Sequence, residues 1–269
     1  MIVNAILELI IMDTKIRFFT FSRTIWLLIF SFVLSAGSSF YISSNGFIAT
    51  QSWQGNHQKF LYTANVSEPK LQKKKIALSF DDGPNGKYTE EVLALLKEKN
   101  IIATFFVCGD STTINPLLVK KAYDMGNEIG NHTYSHVNIA KLSDQALVKE
   151  LSKSNEEIHK AIGKYPVLFR PPYGASSARA NEILAKEGFK KVTWDYMVND
   201  YDIKKTTSEK IAIEVITHAH SGAIIDMHDG GGNREKTIEA LPKIIDELKK
   251  QNYEFVTVSS IVKVDPYHE

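Results

Sequence analysis

From about position 75 onward, short apolar runs alternate with longer amphipathic stretches. This alternation predicts strands joined by helical crossovers into a parallel sheet, so the chain reads as α/β. Seven runs read as strands, at 75–80, 102–108, 128–131, 167–170, 191–196, 223–228 and 255–258. Helix punctuation falls between them. Asn115 before Pro116 predicts a cap followed by proline at the first helical position, and Ser143 predicts the cap of a long helix running to Ile162. Gly126, Gly163 and Gly188 stand where helices should end. Ile238, Leu241, Ile244, Ile245 and Leu248 recur at helical spacing, which predicts one stripe packed on the sheet. Apolar strands with helices outside fit an open doubly wound sheet or a closed barrel equally well.

The first seventy residues break this rhythm. No Lys, Arg, Asp or Glu occurs between Arg23 and Lys59, and 24–42 reads TIWLLIFSFVLSAGSSFYI, apolar enough to cross a bilayer. Lys15, Arg17 and Arg23 precede it, and positive charge before a first apolar segment holds that side in the cytosol. The expectation is therefore a cytosolic segment at 1–23, a transmembrane anchor or signal peptide at 24–42, a polar linker at 43–72 and an extracytoplasmic domain at 73–263. Small residues at 34–38 would suit signal cleavage, and the lysines at 70, 73, 74 and 75 read as a solvated cluster.

Composition narrows the partners. Of 269 residues 43% are hydrophobic, which excludes a disordered chain, and 32 Lys plus Arg against 31 Asp plus Glu offer no broad basic face for nucleic acid. Cys108 is the only cysteine, so no intramolecular disulfide forms.

The candidate chemistry sits at the C-terminal ends of predicted strands, where α/β folds place their sites. At 78–83 the chain reads LSFDDG, an apolar strand running into two adjacent carboxylates, Asp81 and Asp82. At 131–136 it reads NHTYSH, with His132 and His136 spaced to reach a common ion from one helical turn. His218 and His220, by contrast, read as structural. Two histidines and one Asp leave coordination positions open for water and substrate, a set shared by metal hydrolases and non-haem iron oxygenases. At 169–174, FRPPYG places Arg170 before two prolines, suited to hold a carboxylate. At 224–229, IIDMHD ends a strand in His228, a candidate proton donor.

Taken together, LSFDDGP, HTYSH, RPPYG and IIDMHDGGGNR, in this order across roughly 73–262, resemble the NodB-homology polysaccharide deacetylases, carbohydrate esterase family 4. The resemblance implies a distorted (β/α)7 barrel and metal-dependent hydrolysis of an N-acetyl group to a free amine and acetate. It implies one divalent metal ion, zinc or a similar ion such as cobalt, held by Asp82, His132 and His136. Asp81 would be the general base oriented by Arg170, and His228 the general acid tethered by Asp200, since WDYMVNDY at 194–201 lines up with the family's stretch. A backbone N–H near Tyr173 would face the oxyanion, and Tyr201, in place of the family's tryptophan, would wall the sugar. Asp226 departs from the pattern: the family has an apolar residue there, lining the pocket for the acetyl methyl. A carboxylate at that position is expected to narrow or weaken deacetylation unless a partner neutralises it. The expected substrate is an acetylated wall glycan, peptidoglycan before chitooligosaccharide. A carbohydrate-binding relative without turnover is the competing reading.

Overall fold

The computed structural model describes Ser39–Ser43, Gly46–Thr50 and residues 73–268. Ser39–Ser43 (β1) and Gly46–Thr50 (β2) pair antiparallel. Positions 24–38 of the apolar segment lie outside the described residues. Its last four residues are strand, and so is part of the stretch expected as a linker. The reason is legible in part: aromatic and β-branched residues such as Phe40, Tyr41, Ile42, Phe47, Ile48 and Thr50 suit strands. Among the described residues no helix is long and apolar enough to cross a membrane.

A second compact unit begins at Lys73. It opens with β3 (Lys74–Asp81), α1 (Tyr88–Glu98), β4 (Thr104–Val107), α2 (Gly109–Ile114), α3 (Pro116–Asp124) and β5 (Glu128–Asn131). The middle comprises α4 (Asp144–Ile162), β6 (Tyr165–Pro166), β7 (Leu168–Phe169), α5 (Ala178–Lys186), β8 (Lys190–Lys191) and β9 (Tyr196–Met197). It ends with α6 (Ser208–His218), β10 (Ala223–His228), α7 (Glu235–Lys250), β11 (Tyr253–Phe255), α8 (Val258–Val262) and β12 (Tyr267–His268).

The main sheet runs β8-β7-β5-β4-β3-β10-β9, with β11 also on β3, and every pairing in it is parallel. Parallel neighbours need crossovers, and the helices supply them. The sheet is a curled half-barrel and not a closed seven-stranded ring. The predicted strand 191–196 explains the difference, because it divides into β8, which pairs with β7, and β9, which pairs with β10. Between them Asp195 exchanges bonds with Ile224, its N–H donating to the carbonyl and its carboxylate accepting the Ile224 N–H at 2.9 Å. One segment thus spans the gap that a continuous ladder would close. The predicted strand 255–258 also ends early: Thr104 Oγ1 accepts the Val258 N–H at 2.9 Å as helix α8 begins.

Ser143 caps α4 through the Ala146 N–H, and Gly163 ends that helix at φ 71°. Asn115 contributes no side-chain cap to α3, contrary to expectation, although Pro116 does occupy the first turn. The α7 stripe packs as predicted, with Leu241, Ile244, Ile245 and Leu248 fully buried.

Strand alternation sorts the core into two sides. Ile76, Leu78 and Phe80 of β3, with Ala223, Ile225 and Met227 of β10, join the helices in one large apolar cluster. The opposite faces point into the half-barrel, where Ala77, Ile224, Phe106, Leu168, Val192 and Val258 form an apolar floor. Above it the β3–β10 register stacks Ser79 beside Asp226, then Asp81 beside His228. The interior therefore turns from apolar to ionisable in two steps along the strands. Ile244→Ala, in the outer cluster, is expected to cost about 2–5 kcal/mol in urea unfolding while leaving the slope of the transition unchanged.

Candidate active site

Arg170 lies just past β7 and is fully buried. Its Nη1 donates to Ser79 Oγ at 2.7 Å and to Asp81 Oδ1 and Asp226 Oδ1 at 2.8 Å each. Nη2 reaches the Thr193 carbonyl at 3.3 Å, and the guanidinium lies 4.1 Å from the Phe106 ring centroid. Asp226 therefore has the partner that its neutralisation required. Two carboxylates share one cation there, and burial, with the Asp81 charge beside it, pushes the Asp226 carboxyl well above its usual range.

Asp82 Oδ1 lies 3.0 Å from His136 Nε2 and 3.4 Å from His132 Nε2, and His132 Nε2 is 3.7 Å from Asp81 Oδ2. Both imidazoles sit on a loop after β5 and not on the helical turn that their spacing suggested. The chain turns there at Thr133, φ 66°, and at His136, φ 52°. Asp82 and Tyr173 are also left-handed, at φ 72° and 60°. Non-glycine residues rarely hold such angles, at a cost of about 1 kcal/mol or more each, and they concentrate at functional sites.

The glycines after β10 complete the Asp82 turn. A Cβ on Gly230 would stand 2.1 Å from the Asp82 carbonyl oxygen, and one on Gly231 2.4 Å from Asp82 Oδ2. The GGGNR stretch gives no sign in the sequence that these glycines serve Asp82. Arg234 was missed as well; it donates to the Gly230 carbonyl at 2.6 Å and to the Asp200 carbonyl at 3.0 Å, bracing both sides of the mouth.

The donor set fits a divalent cation. Asp82, His132 and His136 each offer an atom within 4.8 Å of the others. Ligands about 2.1 Å from a tetrahedral ion stand about 3.4 Å apart, close to the separations found here. Asp82 Oδ1 is buried without a hydrogen-bond partner, as a ligand oxygen would be. His132 Nδ1 lies 2.7 Å from the Arg170 carbonyl, which can only accept, so the proton sits on Nδ1 and leaves Nε2 free to coordinate. Burial opposes ionisation of Asp82, yet the two imidazoles beside it hold its carboxyl far below the usual range.

Across the mouth, Asp200 Oδ1 accepts from His228 Nδ1 at 2.7 Å, and Oδ2 accepts the His228 backbone N–H and the Thr237 hydroxyl at 2.9 Å each. Burial lowers the imidazole's pKa, but the Asp200 bond and the Asp200, Asp226 and Asp81 charges outweigh it and push His228 up to about 9. Asp81, Asp82, His132, His136, Tyr173, Tyr201, Asp226 and His228 share one cavity of about 610 Å³ with Trp194. Tyr173 and Tyr201 are 71% and 56% exposed at its rim. His218 and His220 lie outside its lining.

Comparison with known proteins accords with this arrangement. The polysaccharide deacetylase family matches residues 68–192, a span holding Asp81, Asp82, His132, His136 and Arg170. A peptidoglycan-N-acetylglucosamine deacetylase of Bacillus cereus is 40% identical over 190 residues, covering 71% of this chain and 89% of the relative. The solved structure of the Bc1960 peptidoglycan N-acetylglucosamine deacetylase superposes with a TM-score of 0.70 at 32% identity, covering 73% of this chain and 92% of that one. A family 4 acetyl xylan esterase from Clostridium thermocellum, solved with a cobalt ion, gives 0.66 at 35% identity over 71% of this chain and 91% of that one. The chain belongs to the polysaccharide deacetylases, carbohydrate esterase family 4, and is a hydrolase of that family.

Two outcomes follow from the geometry. Arg170→Ala strands two buried carboxylates and is expected to lower unfolding stability by about 3–5 kcal/mol, read by denaturant titration. Gly230→Ala is expected to weaken zinc binding at least tenfold by calorimetry, because its Cβ displaces the Asp82 turn; unchanged affinity would show that the turn does not position the ligand.

Proposed function

We propose that this enzyme hydrolyses N-acetyl groups from amino sugars of a wall polysaccharide, the N-acetylglucosamine units of peptidoglycan. The observation carrying this reading is the meeting, in one cavity, of a three-residue cation site, an Arg170-held carboxylate and an Asp200-held imidazole. The Bacillus cereus relative supports peptidoglycan as the polymer. The positively flanked apolar stretch at 24–42 supports an extracytoplasmic domain, anchored in the membrane or secreted.

Asp82, His132 and His136 would hold the cation, for which zinc suits the nitrogen-rich set and cobalt is an alternative. When bound, such an ion lowers the pKa of water from about 16 to near 7 and polarises the acyl carbonyl. Asp81 takes the water's proton, kept in place by Arg170, which also keeps its carboxylate oriented. His228 gives a proton to the departing nitrogen, and Asp200 fixes the tautomer so that Nε2 is the donor. The backbone N–H near Tyr173, at a left-handed turn bordering the cavity, would face the oxyanion. Exposed Tyr173 and Tyr201 offer aromatic faces to sugar rings at the rim.

Incubation with purified peptidoglycan and with chitopentaose is expected to release acetate, and a chelator to abolish release until zinc is restored; no acetate from either polymer would contradict the reading. His228 must be protonated to act, and its raised pKa keeps it so up to about pH 9. Asp200→Asn removes the largest raising influence. The alkaline limb of kcat/KM is then expected to move at least one pH unit lower; an unmoved limb would exclude His228 as the acid.

A further inference from the structure

The register of β3 and β10 places Asp226 one layer below the reacting groups, beside Ser79 and beneath the Asp81–His228 pair. It faces the same way as His228, about 6.6 Å nearer the barrel floor. The carboxyl is 1% exposed yet lines the cavity. Its Oδ1 accepts from Arg170, the one hydrogen bond to this carboxyl among the described residues. A buried carboxyl that borders a cavity and has a single donor costs stability unless a ligand or water completes it.

The direction of the substrate follows from the tetrahedral carbon. With the proposed roles, the attacking water would lie beside Asp81 and the nitrogen would face His228. The sugar on that nitrogen stays at the mouth, among the exposed Tyr173, Tyr201 and Met197. The substituent left over, the acyl chain, then points down towards Asp226. A methyl group there would face a half-satisfied carboxyl, and a hydroxyl would complete it. This match holds in either protonation state, since a carboxylate accepts from the hydroxyl and a carboxylic acid can donate to it.

We infer that Asp226 makes hydroxyacyl amides the better substrates of this site, with a hydroxyacetyl (glycolyl) group on the amino sugar favoured over acetyl. The inference rests on the hydrolase reading above. The reaction is the same in bookkeeping: water supplies the oxygen of the new C–O bond, the C–N bond breaks, and the nitrogen leaves protonated, giving the free amine and glycolate.

The test compares kcat/KM for chitopentaose carrying N-glycolyl or N-acetyl groups, by release of glycolate or acetate, in the full chain and in Asp226→Leu. The wild type is expected to favour glycolyl by about tenfold, because a site built to bond a hydroxyl discriminates against its absence. Asp226→Leu is expected to shift the ratio at least tenfold towards acetyl. A second reading uses the wild type alone: glycolate should inhibit at a concentration about tenfold lower than acetate, which keeps the test decisive should the variant fold poorly. A wild-type preference for acetyl, equal turnover of the two, or a ratio unmoved by Asp226→Leu overturns the inference while acetate release preserves the hydrolase reading. Release of neither acid removes both.

Discussion

One buried guanidinium organises the interior. Arg170 joins Ser79 and Asp81 of β3 to Asp226 of β10 and to the Thr193 carbonyl in the segment that spans the sheet's gap. Burying a cation is costly, and here the cost is offset by charged and neutral acceptors and by the Phe106 face beneath it. Because three separate sequence segments converge on this one group, their relative positions are fixed together. The same residue's carbonyl receives His132 Nδ1, so the arginine that holds Asp81, the proposed base, also orients a candidate metal ligand.

From that layer the mouth divides into two halves with opposite electrostatic tasks. On one side His132 and His136 keep Asp82 ionised against burial, a place where a divalent cation gains most. On the other, the Asp200 carboxylate holds His228 in its charged form. Environments that push neighbouring groups in opposite directions are what acid–base hydrolysis requires. Arg234 ties the halves, since it bonds the carbonyls of both Gly230 and Asp200.

Much of this was legible in the sequence because polar residues at strand ends are conspicuous against apolar runs. The strands 128–131 and 223–228 match β5 and β10 residue for residue, and β3 differs by one residue at each end. What failed depended on pairing partners. A single apolar run at 191–196 does not disclose that its two ends bond to different edges of the sheet. Spacing of four between His132 and His136 suits a helix, but the left-handed Thr133 and His136 bring the rings together on a loop. Gly230 and Gly231 escaped notice because their role is the absence of a side chain beside Asp82. Asp226 was visible as an anomaly, yet its partner Arg170 lies 56 positions away and only the fold brings them together.

In the proposed site Asp82, His132 and His136 gather around a single cation beneath the mouth that Arg170 organises. Anomalous diffraction from crystals soaked in zinc tests it most directly. One strong peak is expected about 2.0–2.2 Å from Asp82 Oδ1, His132 Nε2 and His136 Nε2, with Asp81 still bonded to Arg170. A peak held by other residues, or none in the cavity at saturating zinc, would contradict it.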